Sequence, residues 1–386
     1  MARFIYLDHA ATTRVHGEVA RAMQGALLET FGNPSSPHSF GLEAERLVRQ
    51  GREVLARALG SHADEVYFTS GGTEADNLAI RGTLEAKNRK GRHVVASAVE
   101  HAAILETLRH LEERGLCEYT LVSPDDTGRI SPKAVAGALR DDTVLVTVML
   151  ANNEVGAVQP IAELVGLVKG KDPTVYCHTD AVQALGKMSF RVDELGVDLL
   201  TISGHKIGGP KGIGGLYCRQ DVRLISQITG GGQEDDLRSG TENVPGIVGF
   251  ARAVTLAMDN MAENIESWRK LQALLLEYLE AIPDAQIHGD PLANAPHIVN
   301  VGFGGVRGEV LVHALAQEGL YVSTGAACSS RKHIASHVLK AMEVPKAMAD
   351  GSIRISLGAD TTMEEVEIAA DLIRKKVVEL RRFQRS

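Results

Sequence analysis

The chain has 386 residues, of which 44% are hydrophobic and 23% charged, enough for one large core or two moderate ones. A formal net charge of −8 argues against a general nucleic-acid or membrane-surface binder, and 4% aromatics argues against a stacking platform for single strands. Four cysteines, at 117, 177, 218 and 328 with no CxxC spacing, form no disulfide framework and no metal-ligand set.

The opening "MARFIYLDHAATT" has no long apolar segment, so no signal peptide is expected. No run of about 18 apolar residues exists, so no membrane span is expected. A soluble, cytoplasmic protein is the simplest expectation. From about residue 43 to residue 260, short β-rich runs alternate with helical patterns. "DEVYFTS" (64–70) reads as a strand and "GTEADNLAIRGTLEAKNRKG" as the helix after it. "HVVASAVEH" (93–101) precedes the helix "AAILETLRHLEERG". Then come the runs 142–154, 174–183, 197–206 and 212–219. Val/Ile/Leu-rich strands separated by amphipathic helices predict a mostly parallel α/β sheet. The Gly-rich stretch 228–246 is the most loop-like part of this region. Beyond about residue 256, one long helical pattern, "AMDNMAENIESWRKLQALLLEYLEAI", leads into shorter strands and helices. That change predicts a second, smaller α+β domain.

Unusual polar residues follow the predicted strands: His101 after one, Asn152, Asn153 and Glu154 after another, Asp180 and Gln183 after the next, and Ser203, His205 and Lys206 after the one following. In open α/β sheets the carboxyl ends of the strands form the ligand crevice. Each residue also has an ordinary reading. A lone histidine is mostly a satisfied structural group. Asp180 alone can be a helix cap, and Asn152-Asn153 alone can be turn chemistry. Their coincidence on one edge favours a site. "FTSGGTEADN" adds a strand, a Gly-Gly turn and a helix start, whose free N–H groups suit a phosphate. No GxxxxGK[ST] is present, and "GFGGVRG" (302–308) is not a dinucleotide fingerprint. A phosphate cradle, a carboxylate, a histidine and a lysine together suit pyridoxal phosphate. Its aldehyde takes a lysine, its ring nitrogen takes a carboxylate, and its flat ring takes a stacking partner.

"YLDHAATT", "GNPSSPHSFG", "FTSGGTEADNLAI", "VEHAAIL", "ANNEVGAVQPI", "HTDAVQALGK", "SGHKIGGPKGIGGLY", "RSGTENVP", "GAACSS" and "IRISLG" span Tyr6 to about Gly358. As a set they resemble the cysteine desulfurases of the iron–sulfur-cluster and nitrogen-fixation type. The resemblance implies the fold-type I architecture of pyridoxal-phosphate enzymes. A large domain (15–257) would carry a mostly parallel seven-stranded sheet, and a small domain would comprise 1–14 and 258–386. It implies that Lys206 is the Schiff-base lysine and that Asp180 and Gln183 face the ring nitrogen and ring hydroxyl. His101 would stack on the ring and take part in proton transfer as a catalytic residue. Gly72, Thr73, Ser203 and His205 would hold the phosphate, with Thr241 reaching it from a second subunit of a homodimer. Asn153 and Arg354 would hold the substrate carboxylate, a role suited to bidentate Arg geometry.

Cys328 lies in "VSTGAACSSRKHIASH", a polar and locally cationic run that favours a thiolate. The resemblance places the catalytic cysteine there. Cys177 and Cys218 lie in apolar strand patterns and read as small core residues, and Cys117 reads as a surface or turn residue. The implied activity converts L-cysteine to L-alanine with a persulfide on Cys328, which then passes to a scaffold or sulfurtransferase acceptor. A selenocysteine lyase or another β-lyase on the same fold is the alternative.

Overall fold

The apolar runs pair into one seven-stranded sheet. The computed structural model describes residues 4–324 and 336–383. In chain order the strands are β1 (Ile5–Tyr6), β2 (Val66–Thr69), β3 (His93–Ser97), β4 (Glu118–Val122), β5 (Thr143–Thr147), β6 (Tyr176–Asp180), β7 (Leu199–Ser203), β8 (Gly214–Cys218), β9 (Ala285–His288), β10 (Ile298–Phe303), β11 (Leu320–Tyr321) and β12 (Ser352–Ser356). The large sheet has the order β2-β8-β7-β6-β5-β3-β4. Strands β3 to β7 pair in parallel, and β8 alone runs antiparallel to its neighbours β7 and β2. β3, β5, β7 and β8 are buried along their whole length. Continuous apolar strands are what a sheet covered by helices on both faces requires.

The first four helices are α1 (Gly17–Leu28), α2 (Ser39–Leu59), α3 (Gly72–Ala86) and α4 (Ala102–Glu113). Ala44, Val48, Gly51, Leu55 and Leu59 recur at helical spacing and form the buried face of α2. At Gly51 a Cβ would stand 2.6 Å from Cγ2 of Ile247, so only glycine lets the helix 244–259 approach there.

A second core lies between the helices 261–280 and 363–383 and two small sheets. These are the antiparallel β12-β10-β9 and the parallel pair β1-β11. Ile5 and Leu7 belong to this core although they open the chain. The long helical pattern at 257–282 is broken in two at Asn260, which ends one helix and begins the next. Its backbone N–H and its side-chain amide both donate to the Leu256 carbonyl, at 3.3 and 2.8 Å. Among the described residues, no helix is long and apolar enough to cross a membrane.

In the glycine-rich loop, Glu234, Asp235 and Asp236 are consecutively left-handed, with φ of 49°, 52° and 64°. Each such residue costs about 1–2 kcal/mol. The loop is pinned where Glu234, nearly buried, takes Arg52 in a bidentate pair at 2.6 and 2.7 Å. The same carboxylate accepts from the Phe68 amide of edge strand β2 at 2.7 Å. Charge-assisted bonds of this kind are stronger than neutral ones and offset the strain.

Two of the cysteine readings hold, since Cys177 and Cys218 are core residues. Cys117 does not sit at the surface. It is buried below α4, with Sγ 3.5 Å from the Leu108 carbonyl, while neighbouring Leu116 takes the exposed position. Cys328 lies outside the described residues.

Candidate active site

Parallel strands bring their carboxyl ends to one edge, so residues far apart in sequence meet there. Asp180 and Ser203 end β6 and β7, and His101, Asn153, His205 and Lys206 lie in the segments that follow β3, β5 and β7. The Lys206 amine donates to the carbonyls of Ala10 and Ala11 at 2.7 and 2.8 Å. The N-terminal segment therefore crosses the lysine. Its next residues hold the following histidine turn: Thr13 Oγ1 donates to the His205 carbonyl at 2.8 Å, and Thr12 Oγ1 lies 3.1 Å from His205 Nδ1.

Asp180 is buried at the end of β6, and its Oδ1 accepts from the Val182 amide at 2.8 Å. Burial raises its proton affinity, while His101 and Lys206 act in the opposite sense. His101 caps α4, its Nδ1 accepting from the Ala103 amide at 3.1 Å. A neutral ring in that bond carries its proton on Nε2. Burial and the nearby Lys206 push His205 down to about 4, so it is neutral at pH 7 and keeps one N–H for donation.

Gly72 opens α3 directly beside Ser203. A Cβ on Gly72 would come within 3.0 Å of Val182 Cγ2 and 3.9 Å of Ser203 Cβ. The 15-residue helix thus directs its first free N–H groups, with those of Thr73, towards the end of β7. Gln183 donates through Nε2 to the Ala10 carbonyl at 2.9 Å. Thr241 is exposed, and no hydrogen bond among the described residues joins it to this cluster.

Arg354 lies on β12 and is buried, with Nη2 on Asp8 Oδ1 at 2.7 Å and Nη1 on the Asn153 carbonyl at 2.9 Å. Its Nε is buried without a partner. Asn153 thus meets the arginine through its main chain. Asn152 is a turn residue, as the ordinary reading of the pair allowed. Its Oδ1 accepts from the amides of Glu154 and Val155 at 2.8 and 2.9 Å.

Sequence reasoning assigned no role to Glu100 and Lys187 near this cluster, and read Asp76 only as part of an N-cap arrangement with Thr73, whereas the cap of α3 is Gly71 with no side-chain cap bond. Asp76 on α3 is fully buried with an unpartnered Oδ1, 3.8 Å from His178 Nε2, and burial and Asp180 raise its proton affinity. Its position was readable, because Gly72, Asp76, Ala79 and Thr83 share one helix face with buried neighbours. Glu100 is buried with Oε1 accepting from Ser97 Oγ at 2.5 Å and the Met149 amide at 2.7 Å, and burial raises its acid group to about 8. Lys187 is buried beside Gln183.

Glu100 gives a pH prediction with a definite sign. Its folded value of about 8 exceeds the unfolded 4.5, so the folded chain binds the extra proton between those limits. Its contribution to stability is fully present below pH 4.5 and is lost as pH rises through 8. Glu100→Gln removes this dependence. Urea midpoints of variant and wild type are expected to lie close at pH 5 and to diverge in favour of the variant by pH 8.5. A constant difference across that range would contradict the buried carboxyl.

A crevice with a strand-end lysine, a buried carboxyl and a helix N-terminus is the arrangement of fold-type I α/β enzymes. The chain matches the family described as Aminotransferase class-V over residues 5–368. It is 45% identical over 382 residues to a cysteine desulfurase IscS of Dictyoglomus turgidum, covering 99% of this chain and 96% of that one. Among solved structures it is similar to a NifS-like protein, with a TM-score of 0.92, 37% identity and coverage of 98% and 100%. It is also similar to SspA in complex with cysteine, with a TM-score of 0.80, 34% identity and coverage of 93% and 100%. The chain belongs to the class-V aminotransferase family, among its cysteine desulfurases.

Proposed function

We propose that this chain is a cysteine desulfurase that uses pyridoxal 5′-phosphate to convert L-cysteine to L-alanine and leaves the sulfur as a persulfide on Cys328. The observation that carries the reading is the Lys206 amine beside a buried Asp180 on one sheet edge. The residues present fit the cofactor. The N-terminus of α3, with Gly72, Thr73, Ser203 and His205, suits its phosphate. Asp180, costly as a buried anion, suits the protonated ring nitrogen. His101 suits the ring face, and Gln183 the ring hydroxyl. When bound, the ring supplies an electron sink for the α-carbon of the amino acid.

The chain's own groups do the rest. Lys206 would hold the cofactor, and its Nζ would take the α-proton of the bound amino acid. The Cys328 thiolate attacks the substrate sulfur. An S–S bond forms, the substrate Cβ–S bond breaks, and the carbon keeps the electron pair and gains a proton. Cysteine and one thiol thus become alanine and one persulfide, with no outside oxidant. Arg354 takes the substrate carboxylate by exchanging Asp8 for it, with Asn153 beside it. Thr241 serves the phosphate of a second copy. Exposed Leu27, Leu28, Phe31, Phe40 and Leu42 at the ends of α1 and α2 support such a homodimer. Residues 15–257 form the cofactor domain, and 1–14 with 258–386 the small domain. The persulfide then serves a protein acceptor for iron–sulfur clusters or thio-cofactors in the cytoplasm.

The test is alanine release from L-cysteine by the cofactor-loaded chain with a thiol reductant present. Stoichiometric sulfide and alanine are expected. Yellow protein that releases no alanine would sink the reading.

A further inference from the structure

Lys187 stands out because a buried lysine ordinarily has a carboxylate partner. Only 5% of it is exposed. The charged groups acting on it are Lys206 and Arg354, and the imidazoles of His9, His205 and His297 feel its charge in turn. Burial, Lys206 and Arg354 together push its value down to about 7. Its amine donates to Gln183 Oε1 at 3.2 Å. The two residues lie four apart on the turns that follow β6, which places them on one face.

The contact continues into the crevice. Gln183 Nε2 donates to the Ala10 carbonyl at 2.9 Å, and the same carbonyl receives the Lys206 amine at 2.7 Å. A glutamine amide has one accepting end and one donating end. A lysine ammonium, the form Lys187 holds below about pH 7, only donates, and a carbonyl only accepts. Both neighbours therefore impose the same orientation. A flipped amide would set NH₂ against ammonium and oxygen against oxygen.

We propose that Lys187 is a positioning residue, which locks the Gln183 amide with its NH₂ end turned towards Lys206 and so presents a fixed donor to an anionic ring oxygen bound there. The inference rests on the reading above that pyridoxal 5′-phosphate occupies this crevice. Lys187 itself touches neither cofactor nor substrate. Its effect passes through Gln183, so removing Gln183 must make Lys187 irrelevant to cofactor binding.

The experiment titrates the cofactor-free full chain with pyridoxal 5′-phosphate, following fluorescence quenching and the pH midpoint of the visible band. Wild type, Lys187→Met, Gln183→Leu and the double variant are compared, with Lys187→Arg as the conservative rescue. Lys187→Met is expected to weaken binding about tenfold, the worth of one oriented hydrogen bond. It is also expected to shift the visible-band midpoint. In the Gln183→Leu background the same change is expected to alter binding less than about twofold, because distant, uncoupled sites would instead add. Lys187→Arg restores most of the affinity. Equal losses in both backgrounds, or no loss in either, would overturn the proposal. If Lys187→Met does not fold, Lys187→Gln replaces it in both backgrounds, with the same expectations. Wild type that fails to bind the cofactor refutes the functional reading first, and the role of Lys187 falls with it.

Discussion

Lys206→Ala is expected to lower alanine formation from L-cysteine by about 10⁴-fold or more, the scale on which removal of a central covalent and proton-transfer group acts. The amine is held by two main-chain carbonyls at the end of a buried strand, so it is positioned before any ligand arrives. The cost of ordering a long side chain is thus met in folding and is not charged against the reaction. Lys206→Arg is expected to be equally inactive, because a guanidinium is never deprotonated near neutral pH and cannot take the α-proton. The cofactor should still bind both variants, since Asp180, Ser203 and the α3 N-terminus are untouched. The decisive readout is mass spectrometry after borohydride treatment. Wild type should retain the cofactor covalently on the peptide with Lys206, and the variants should not. A Lys206→Ala chain with more than about 1% of wild-type alanine release would remove Lys206 from its role.

The large sheet was legible because buried parallel strands carry their signature in every residue, with no exposed face to dilute it. The strand-end polar residues were legible for the same reason, as departures from that run. What the sequence did not reveal has a different physical basis. The lid over Lys206 is made of the Ala10 and Ala11 carbonyls, and main-chain atoms carry no residue signature. Lys187 reads as an ordinary surface lysine until the fold buries it against Gln183. The Asp8–Arg354 pair joins residues 346 apart, which no local pattern encodes. The break at Asn260 is a local backbone departure, φ −102° and ψ 4°, within an otherwise continuous helical pattern. Cys117 was misplaced because "RGLCEY" sets it between a glycine turn and a glutamate, with an apolar Leu116 that would be expected to take the inward position. In the fold Leu116 is exposed and the Cys117 side chain points inward below α4.

Cys328→Ala is expected to abolish the protein-bound persulfide and to cut alanine release by about 10³-fold or more, as loss of a nucleophile acting with its base does. The expectation is sharpened by the other three thiols. Cys117, Cys177 and Cys218 are all buried, and burial raises them to about 11, 12 and 12. At neutral pH each keeps its proton, and a thiol is a poor nucleophile compared with its thiolate. None can take over the attack on the substrate sulfur. Cys117→Ser should therefore leave persulfide formation intact, while Cys328→Ala should leave none that alkylation and mass spectrometry can find. Cofactor binding separates this loss from a failure to fold, because a yellow but inactive Cys328→Ala chain places the defect in sulfur transfer alone. Equal alanine from wild type and Cys328→Ala would keep the Lys206 chemistry and move the sulfur-accepting step to an added small-molecule thiol. In that case the turnover of the variant would rise with reductant concentration, whereas persulfide formation on the wild type precedes reductant and does not depend on it.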